Sequence, residues 1–234
     1  MIEESNLKTY LSISPRKFEI YLFDIINFKY LYQREITIEN SFASIDLNIL
    51  SKFLEDNVFN IEKLIGKFLN NICLIIKSNE IVKVKIGIKK KNYKEEINKT
   101  FLNSLIIDLK DLFKENYQNK KVLHMTIDRY LVDGISYPSL NNNLKGSDLC
   151  IELKFNFISL KFVSEISKIL EKYQIKITEY LDREYIEIFF KDEEMKLCEM
   201  AYKIENGYNE NEVKLIPKNT KNIGFFEKFF QLFS

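Results

Sequence analysis

Between Ile45 and Phe68 the apolar residues settle into a helical period. Leu47, Leu50, Phe53, Leu54, Val58, Ile61, Leu64, Ile65 and Phe68 recur three and four apart, which predicts a long amphipathic helix. Asp46 stands where its N-cap belongs. On either side the pattern is that of strands. Tyr10 to Ile38 is rich in β-branched and aromatic residues and predicts three short strands in a meander. ICLIIKS, just beyond the helix, predicts a short buried strand. A one-sided helix framed by strands must bury its stripe on a sheet, so this segment confines the chain to mixed α/β folds.

The rest of the chain keeps the mixture. EIVKVKIGIKKK alternates, with Val82, Val84, Ile86 and Ile88 on one face and lysines on the other, as in a half-exposed strand. NKTFLNSLIIDLKDLFKENY predicts a second helix. KKVLHMTIDRYLVDG and SDLCIELKFNFISL predict strands flanking a polar loop. KFVSEISKILEKYQ predicts a third helix, IKITEYL a strand, YIEIFF a further strand, and DEEMKLCEMAYKI a last helix ending near Gly207. No internal repeat is present.

Composition narrows the chemistry. Hydrophobic residues make up 46% of 234, and there are only 6 Gly and 3 Pro, which favours regular structure with a real core. Net charge is +1, which gives no support to nucleic-acid binding. Lys89, Lys90 and Lys91 lack the interleaved aromatics of a nucleic-acid face. Phosphate cradles need clustered glycines, because backbone N–H groups must approach the anion; the glycines here are isolated. Cys73, Cys150 and Cys198 are widely spaced, each in an apolar stretch, and are expected to be buried free thiols in a reducing compartment. The single histidine, His124, sits in the alternating run VLHMTI and reads as a core residue. One histidine gives no zinc spacing, and a histidine held in the core is not placed as the base of a nucleophilic triad. No catalytic residue, cofactor or metal is therefore expected. The N-terminus does not read as a signal peptide, and no run of about 18 apolar residues is present to span a membrane.

One stretch carries a resemblance. From Lys120 to Leu181 the chain resembles subdomain 1C of the bacterial division protein FtsA. That family has a strand pair of the type ILHVIPQ-x-x-x-VDG, then a loop with a proline and a glycine, then strand, helix and strand. The matching residues are Val122, Leu123, His124, Val132, Asp133, Gly134, Pro138 and Gly146, followed by Leu149, Ile151, Leu153 and Phe155. Upstream, LSISPRKFEIYL resembles the family's first phosphate loop, of the type LDIGSSKVCAL. The resemblance implies half of an actin-like fold. A subdomain 1A-like part is expected at 8–78 and 178–205, and a subdomain 1C-like part at 79–177. A flexible linker is expected at 206–222 and an amphipathic membrane-targeting helix at 223–234.

The departures shape what the resemblance implies. Ser12 stands where the family has Asp, Ser14 where it has Gly, and Pro15, which has no N–H to donate, comes next. Only Lys17 matches. The second phosphate motif, of type DIGGGT, and subdomains 2A and 2B have no counterpart. The expectation is a reduced relative with a degenerate phosphate loop at Ser12, Ser14, Pro15 and Lys17. It would act as a non-enzymatic division adaptor at midcell. Its partners would be FtsZ or later division proteins, with self-association, and no nucleic acid. Two other readings stay open: a soluble scaffold like the pilus protein PilM, dimerising through its last helix, and an actin-like protein that retains nucleotide.

The final residues, NIGFFEKFFQLFS, make the tether. Placed on a helix at about 100° per residue, Phe225, Phe226, Phe229, Phe230, Leu232 and Phe233 fill an arc of roughly 160°, and Ile223 leads into it. The segment is too short to span a bilayer and suits a helix lying in the lipid interface. The expected location is the inner face of the cytoplasmic membrane. The linker before the helix, roughly 15 residues long, would reach about 20 Å on average.

Overall fold

The computed structural model describes residues 6–39, 44–93, 96–140 and 145–213. The fold is mixed α/β, with nine strands and five helices among the described residues, in two compact units.

The first unit comprises 1–81 and 158–208. β1 (Leu7–Ile13), β2 (Lys17–Asp24) and β3 (Lys29–Thr37) form the expected meander, each antiparallel to the next. The α1 helix (Leu47–Ile65) returns the chain so that β4 (Asn71–Ile76) runs parallel to β1. The α3 helix (Leu160–Glu171) likewise leads into β9 (Lys176–Asp182), parallel to β4. The sheet order is β3-β2-β1-β4-β9. Its central strands are buried on both faces, so side chains sort by the two-residue period. Tyr10, Tyr21, Phe23, Cys73 and Ile75 pack under α4 (Arg183–Phe189) and α5 (Leu197–Glu205). On the opposite face Phe18 meets Phe53 of α1 with ring centroids 6.1 Å apart, and Tyr32 Oη donates to Asn57 Oδ1 at 2.7 Å.

The first helix starts and stops for local reasons. Asp46 caps it, accepting from the N–H groups of Asn48 and Ile49 at 2.9 and 3.1 Å. Gly66 ends it at φ 72°, its N–H returning to the Glu62 carbonyl at 2.8 Å, a conformation that favours glycine. Leu50, Phe53, Leu54, Val58 and Ile61 are buried as the period requires, whereas Leu64 and Phe68 are 57% and 78% exposed. The apolar stripe therefore outruns the sheet that it covers.

Among the described residues the second unit comprises 82–157 and 209–213. Its sheet order is β5-β8-β6-β7, with β5 (Val82–Lys91), β6 (Lys120–Val132), β7 (Ile135–Tyr137) and β8 (Asp148–Ser159). The α2 helix (Lys99–Asn116) supplies Leu105, Leu109 and Phe113 to the core, where Phe113 stacks on Phe155 at 4.3 Å. β6 and β7 join through Asp133 and Gly134 at φ 50° and 84°, the paired left-handed residues of a type I′ hairpin. The lysine-rich face of β5 is laced with carboxylates: Lys85 meets Asp128 at 2.7 Å and Lys89 meets Asp148 at 3.1 Å.

Four sequence expectations are corrected. Tyr185–Phe190 is not a strand: Arg183–Phe189 is helical. Asp182 caps that helix by accepting from Glu184 N at 2.9 Å, and Arg183 pairs with Glu187 four residues on at 2.7 Å, both local bonds that favour a helix over a strand. The second unit does not extend over 79–177, because β9 hydrogen-bonds to β4 and residues from 158 belong to the first unit. The segment from 206 is not all linker: Asn211–Val213 pairs with β6, and only 214–222 of that expectation lies outside the described residues. Cys73 and Cys198 are buried free thiols, but Cys150 on β8 is only half-buried.

Candidate functional site

In open α/β sheets, ligands are held beyond the carboxyl ends of the parallel strands. In the first unit that end is marked by Ile13, Ile76 and Asp182, which lie side by side on β1, β4 and β9. The degenerate loop Ser12–Lys17 falls there, and so does Arg183, the residue after Asp182. A cavity of about 260 Å³ lies at the other end of these strands, lined by Leu7, Leu22, Ile65, Phe68, Ile72 and others, away from the loop.

The loop is a tight hairpin closed on itself. Ser14 N–H donates to the Lys17 carbonyl at 3.0 Å, Ser14 Oγ donates to the same carbonyl at 2.9 Å, and Lys17 N–H donates to Ser14 Oγ at 3.0 Å. The Ser14 and Lys17 amides are therefore committed internally, and Pro15 contributes none. A phosphate cradle needs the reverse, amides turned outward.

A polar cluster fills the space beside the hairpin. Glu19 projects from β2 on the α4 face and is only 4% exposed. One of its carboxylate oxygens accepts from Tyr21 Oη at 2.9 Å and from Lys17 Nζ at 3.0 Å. The other accepts from Nη1 of Arg183, which also donates to Ser12 Oγ at 3.2 Å. Arg183 Nε donates to Glu187 at 2.7 Å, Lys17 reaches Glu35 at 2.8 Å, and Lys77 approaches Glu187 at 3.5 Å. Three cations thus face three carboxylates. Burial by itself would raise the Glu19 carboxyl, but the Arg183 charge and the bonds from Lys17, Tyr21 and Arg183 outweigh it and hold it below the usual carboxylate range. Burial likewise disfavours the Arg183 charge, and Glu187 and Glu19 more than restore it. Burial and the neighbouring Glu19 charge push the Tyr21 phenol upward.

The structure brings Ser12, Ser14 and Lys17 together with residues that the sequence reading passed over. Ser12 is fully buried and, instead of an outward carboxylate, offers a hydroxyl held by Arg183. Glu19 and Arg183 left faint signals. Glu19 is a charge alternating with Tyr21 and Phe23 in an otherwise apolar strand, which implies a buried partner. Arg183 sits at a helix N-terminus, where a cation opposes the helix dipole unless something else holds it. The residues expected to bind membrane, Ile223, Phe225, Phe226, Phe229, Phe230, Leu232 and Phe233, lie outside the described residues. Among the described residues no group of three His, Cys, Asp or Glu side chains is placed to hold a metal. No helix among them is long and apolar enough to cross a membrane.

No family model matches the sequence, and no curated protein matches it. Among solved structures the chain is similar to the PilM–PilN type IV pilus biogenesis complex, with TM-score 0.47 and 6% identity over 79% of this chain and 50% of that one. It is also similar to a Bacteroides thetaiotaomicron protein with an actin-like ATPase fold and unknown function (TM-score 0.35, 15% identity, 82% and 59% covered). A third likeness is to cyto-EpsL, the cytoplasmic domain of EpsL, an inner membrane component of the type II secretion system of Vibrio cholerae (TM-score 0.35, 9% identity, 77% and 56% covered). The chain spans between 50% and 59% of the length of these structures. Likeness of this degree is no guide to activity.

Proposed function

We propose that the chain is a non-enzymatic adaptor with an actin-like body, related to subdomains 1A and 1C of FtsA. It has given up nucleotide binding, holds a division partner, and attaches to the inner face of the cytoplasmic membrane through its C-terminal helix. The observation that carries this reading is the Glu19–Arg183 pair. At the carboxyl end of the parallel strands, where a phosphate would be held, the protein places its own carboxylate against its own guanidinium. Lys17, Lys77 and Arg183 are matched by Glu19, Glu35 and Glu187, so these three cations offer a polyphosphate no excess positive charge. The Ser14 and Lys17 amides of the hairpin are turned inward. The meander followed by two parallel strands supports the actin-like half, and the apolar arc Phe225–Phe233 supports the tether.

A vesicle co-sedimentation series tests both parts of the reading. The intact chain and a version ending at Asn222 are pelleted with lipid, each with and without Mg-ATP. The intact chain is expected to pellet and the shortened one to stay in solution, with nucleotide changing neither. Equal pelleting of the two chains would overturn the tether. A nucleotide-dependent shift would overturn the closed site.

A further inference from the structure

β5 is an end strand of the second sheet, and among the described residues no strand pairs with its outer side. Its ten residues pair with β8 in unbroken antiparallel register. Just past its end, Asn92 N–H donates to the Ser147 carbonyl directly opposite, at 2.7 Å. That bond continues the register and marks the even-numbered positions as the ones that exchange bonds with β8. Lys85, Gly87, Lys89 and Lys91 therefore turn their backbone N–H and C=O groups to the open side, and all four residues are exposed. An edge of this length with neither bulge nor proline is a template for another strand.

The side chains along this edge sort by the two-residue period. Val84, Ile86 and Ile88 pack against the core on the α2 side, yet each is only half-buried. The α2 helix flanks them: Asp108 pairs with Lys90 of β5, and Leu112, one turn further along the same stripe of the helix, is exposed. An apolar-floored groove thus runs between the strand edge and the helix. Near Lys91 a hollow of about 600 Å³ opens, lined by Lys91, Tyr93, Thr100, Phe101 and Ser104.

We propose that the β5 edge binds an extended acidic segment of a partner protein as an added strand. The segment that fits alternates acidic and apolar residues: the acidic ones lie beside Lys85, Lys89 and Lys91, the apolar ones beside Ile86, Ile88 and Leu112. Charge selects this occupant. β5 carries no carboxylate of its own. Lys85 and Lys89 meet Asp128 and Asp148, but their side chains are 58% and 65% exposed, and ion pairs so open to water leave the ammonium groups able to take a further carboxylate. A second copy's β5 would set lysine against lysine, which opposes pairing. The adaptor reading calls for a partner surface; this one lies wholly in the second unit and does not depend on the membrane tether.

The test uses the full chain without lipid and a labelled peptide of alternating Glu and Val, followed by fluorescence anisotropy. Saturable binding is expected, weakening as salt is raised, while a Lys–Val peptide of the same length is expected not to bind. Lys85→Pro with Lys89→Pro removes two outward donors and spares the β8 ladder, which uses the even positions; it is expected to weaken binding more than about tenfold with the melting temperature little changed. Lys85→Gln with Lys89→Gln keeps the donors and removes the charge, and is expected to weaken binding by about threefold to tenfold. No binding of the acidic peptide, equal binding of the Lys–Val peptide, or indifference to both double variants would overturn the proposal. So would a dimer of the unaltered chain in sedimentation that the proline pair dissolves, since the edge would then belong to a second copy. Vesicle pelleting reports on the tether alone.

Discussion

Glu19 and Arg183 lie 164 residues apart in the chain, and a hydrogen bond joins them at the carboxyl end of the first sheet. Each is mostly withdrawn from water, with side chains 5% and 18% exposed. Removing one partner from such a pair leaves the other buried without compensation, which is the costly way to break an ion pair. Arg183 keeps Glu187 at 2.7 Å, so Glu19→Ala is expected to lower stability by about 2 kcal/mol. Equilibrium urea unfolding checks this through the midpoint. Replacing both residues, Glu19→Leu with Arg183→Met, should recover much of the loss, because a matched apolar pair costs no desolvation of charge.

The same carboxylate sets an acid limit. Glu19 is held below its ordinary value in the folded chain, so the unfolded chain binds the proton more readily. Its contribution is fully present above the unfolded value, about pH 4.3, and is lost as pH falls through the lower folded value. Stability should therefore decline on acidification below about pH 4.3. Glu19→Gln should be less stable at neutral pH and show a shallower decline over that range. Urea midpoints taken from pH 6 to pH 3 distinguish the two slopes; equal slopes would remove Glu19 as the titrating group.

In the second unit, Gly146 is required by packing. A Cβ built at this position would come within 2.2 Å of Val132 Cγ1 and 3.4 Å of Asp133 Oδ2. Val132 is buried, and Asp133 is held by accepting the Ser147 and Asp148 N–H groups at 2.9 Å, so neither can step aside cheaply. Gly146→Ala is expected to cost about 1–3 kcal/mol. Adding Val132→Ala should make the double variant less destabilised than the two single losses combined, since the clash is then relieved. Thermal melts of the four proteins in that cycle provide the readout.

These examples show which parts of the fold local sequence can express. β1 to β3 and α1 were legible because each holds one period long enough to be counted, and Asp46 marks the helix start. Tyr185–Phe190 was misread because Tyr-Ile-Glu-Ile alternates as a strand does, while the cap at Asp182 and the Arg183–Glu187 bond decide for a helix. The return of Asn211–Val213 to β6 was hidden in the polar stretch Asn209–Lys214, where Val213 stands among Asn, Glu and Lys. The phosphate-loop position could be located from Ser12, Ser14, Pro15 and Lys17, but its closure could not. Glu19 and Arg183 meet only because β9 joins the sheet beside β4, two strands from β1, a fact of topology with no local trace.

The cysteines separate by burial. Cys73 and Cys198 are fully buried, and burial pushes both thiols up, that of Cys198 to about 12. The Cys150 thiol is also raised by burial and by Glu152, but its residue is half-buried on β8. Thiolate fraction and access together control alkylation. A maleimide at neutral pH should therefore add to Cys150 in the native protein, with Cys73 and Cys198 reacting at appreciable rates only in urea. Mass spectrometry should find one adduct before unfolding and three after it.

Membrane attachment, if the tether reading holds, should depend little on lipid charge. In sequence Lys228 is offset by its neighbour Glu227, leaving Lys218 and Lys221 upstream as the nearby cations. Each would add about 1 kcal/mol at an anionic surface at best, against about 1.5–3 kcal/mol for each phenylalanine fully inserted. Neutral and anionic vesicles should thus pellet the chain to within a few-fold of each other, and Phe226→Asp with Phe229→Asp should abolish pelleting on both. Under that reading insertion would be partial and the segment would have to be ordered as it bound, so one tail would be a weak anchor. Two tails held together gain the second contact at high effective concentration, by a factor of about 10²–10⁴. Fusing a dimerising coiled coil to the N-terminus should therefore turn weak pelleting into firm pelleting. If forced dimers bound lipid no better than monomers, the phenylalanine face would be spent on protein contacts instead.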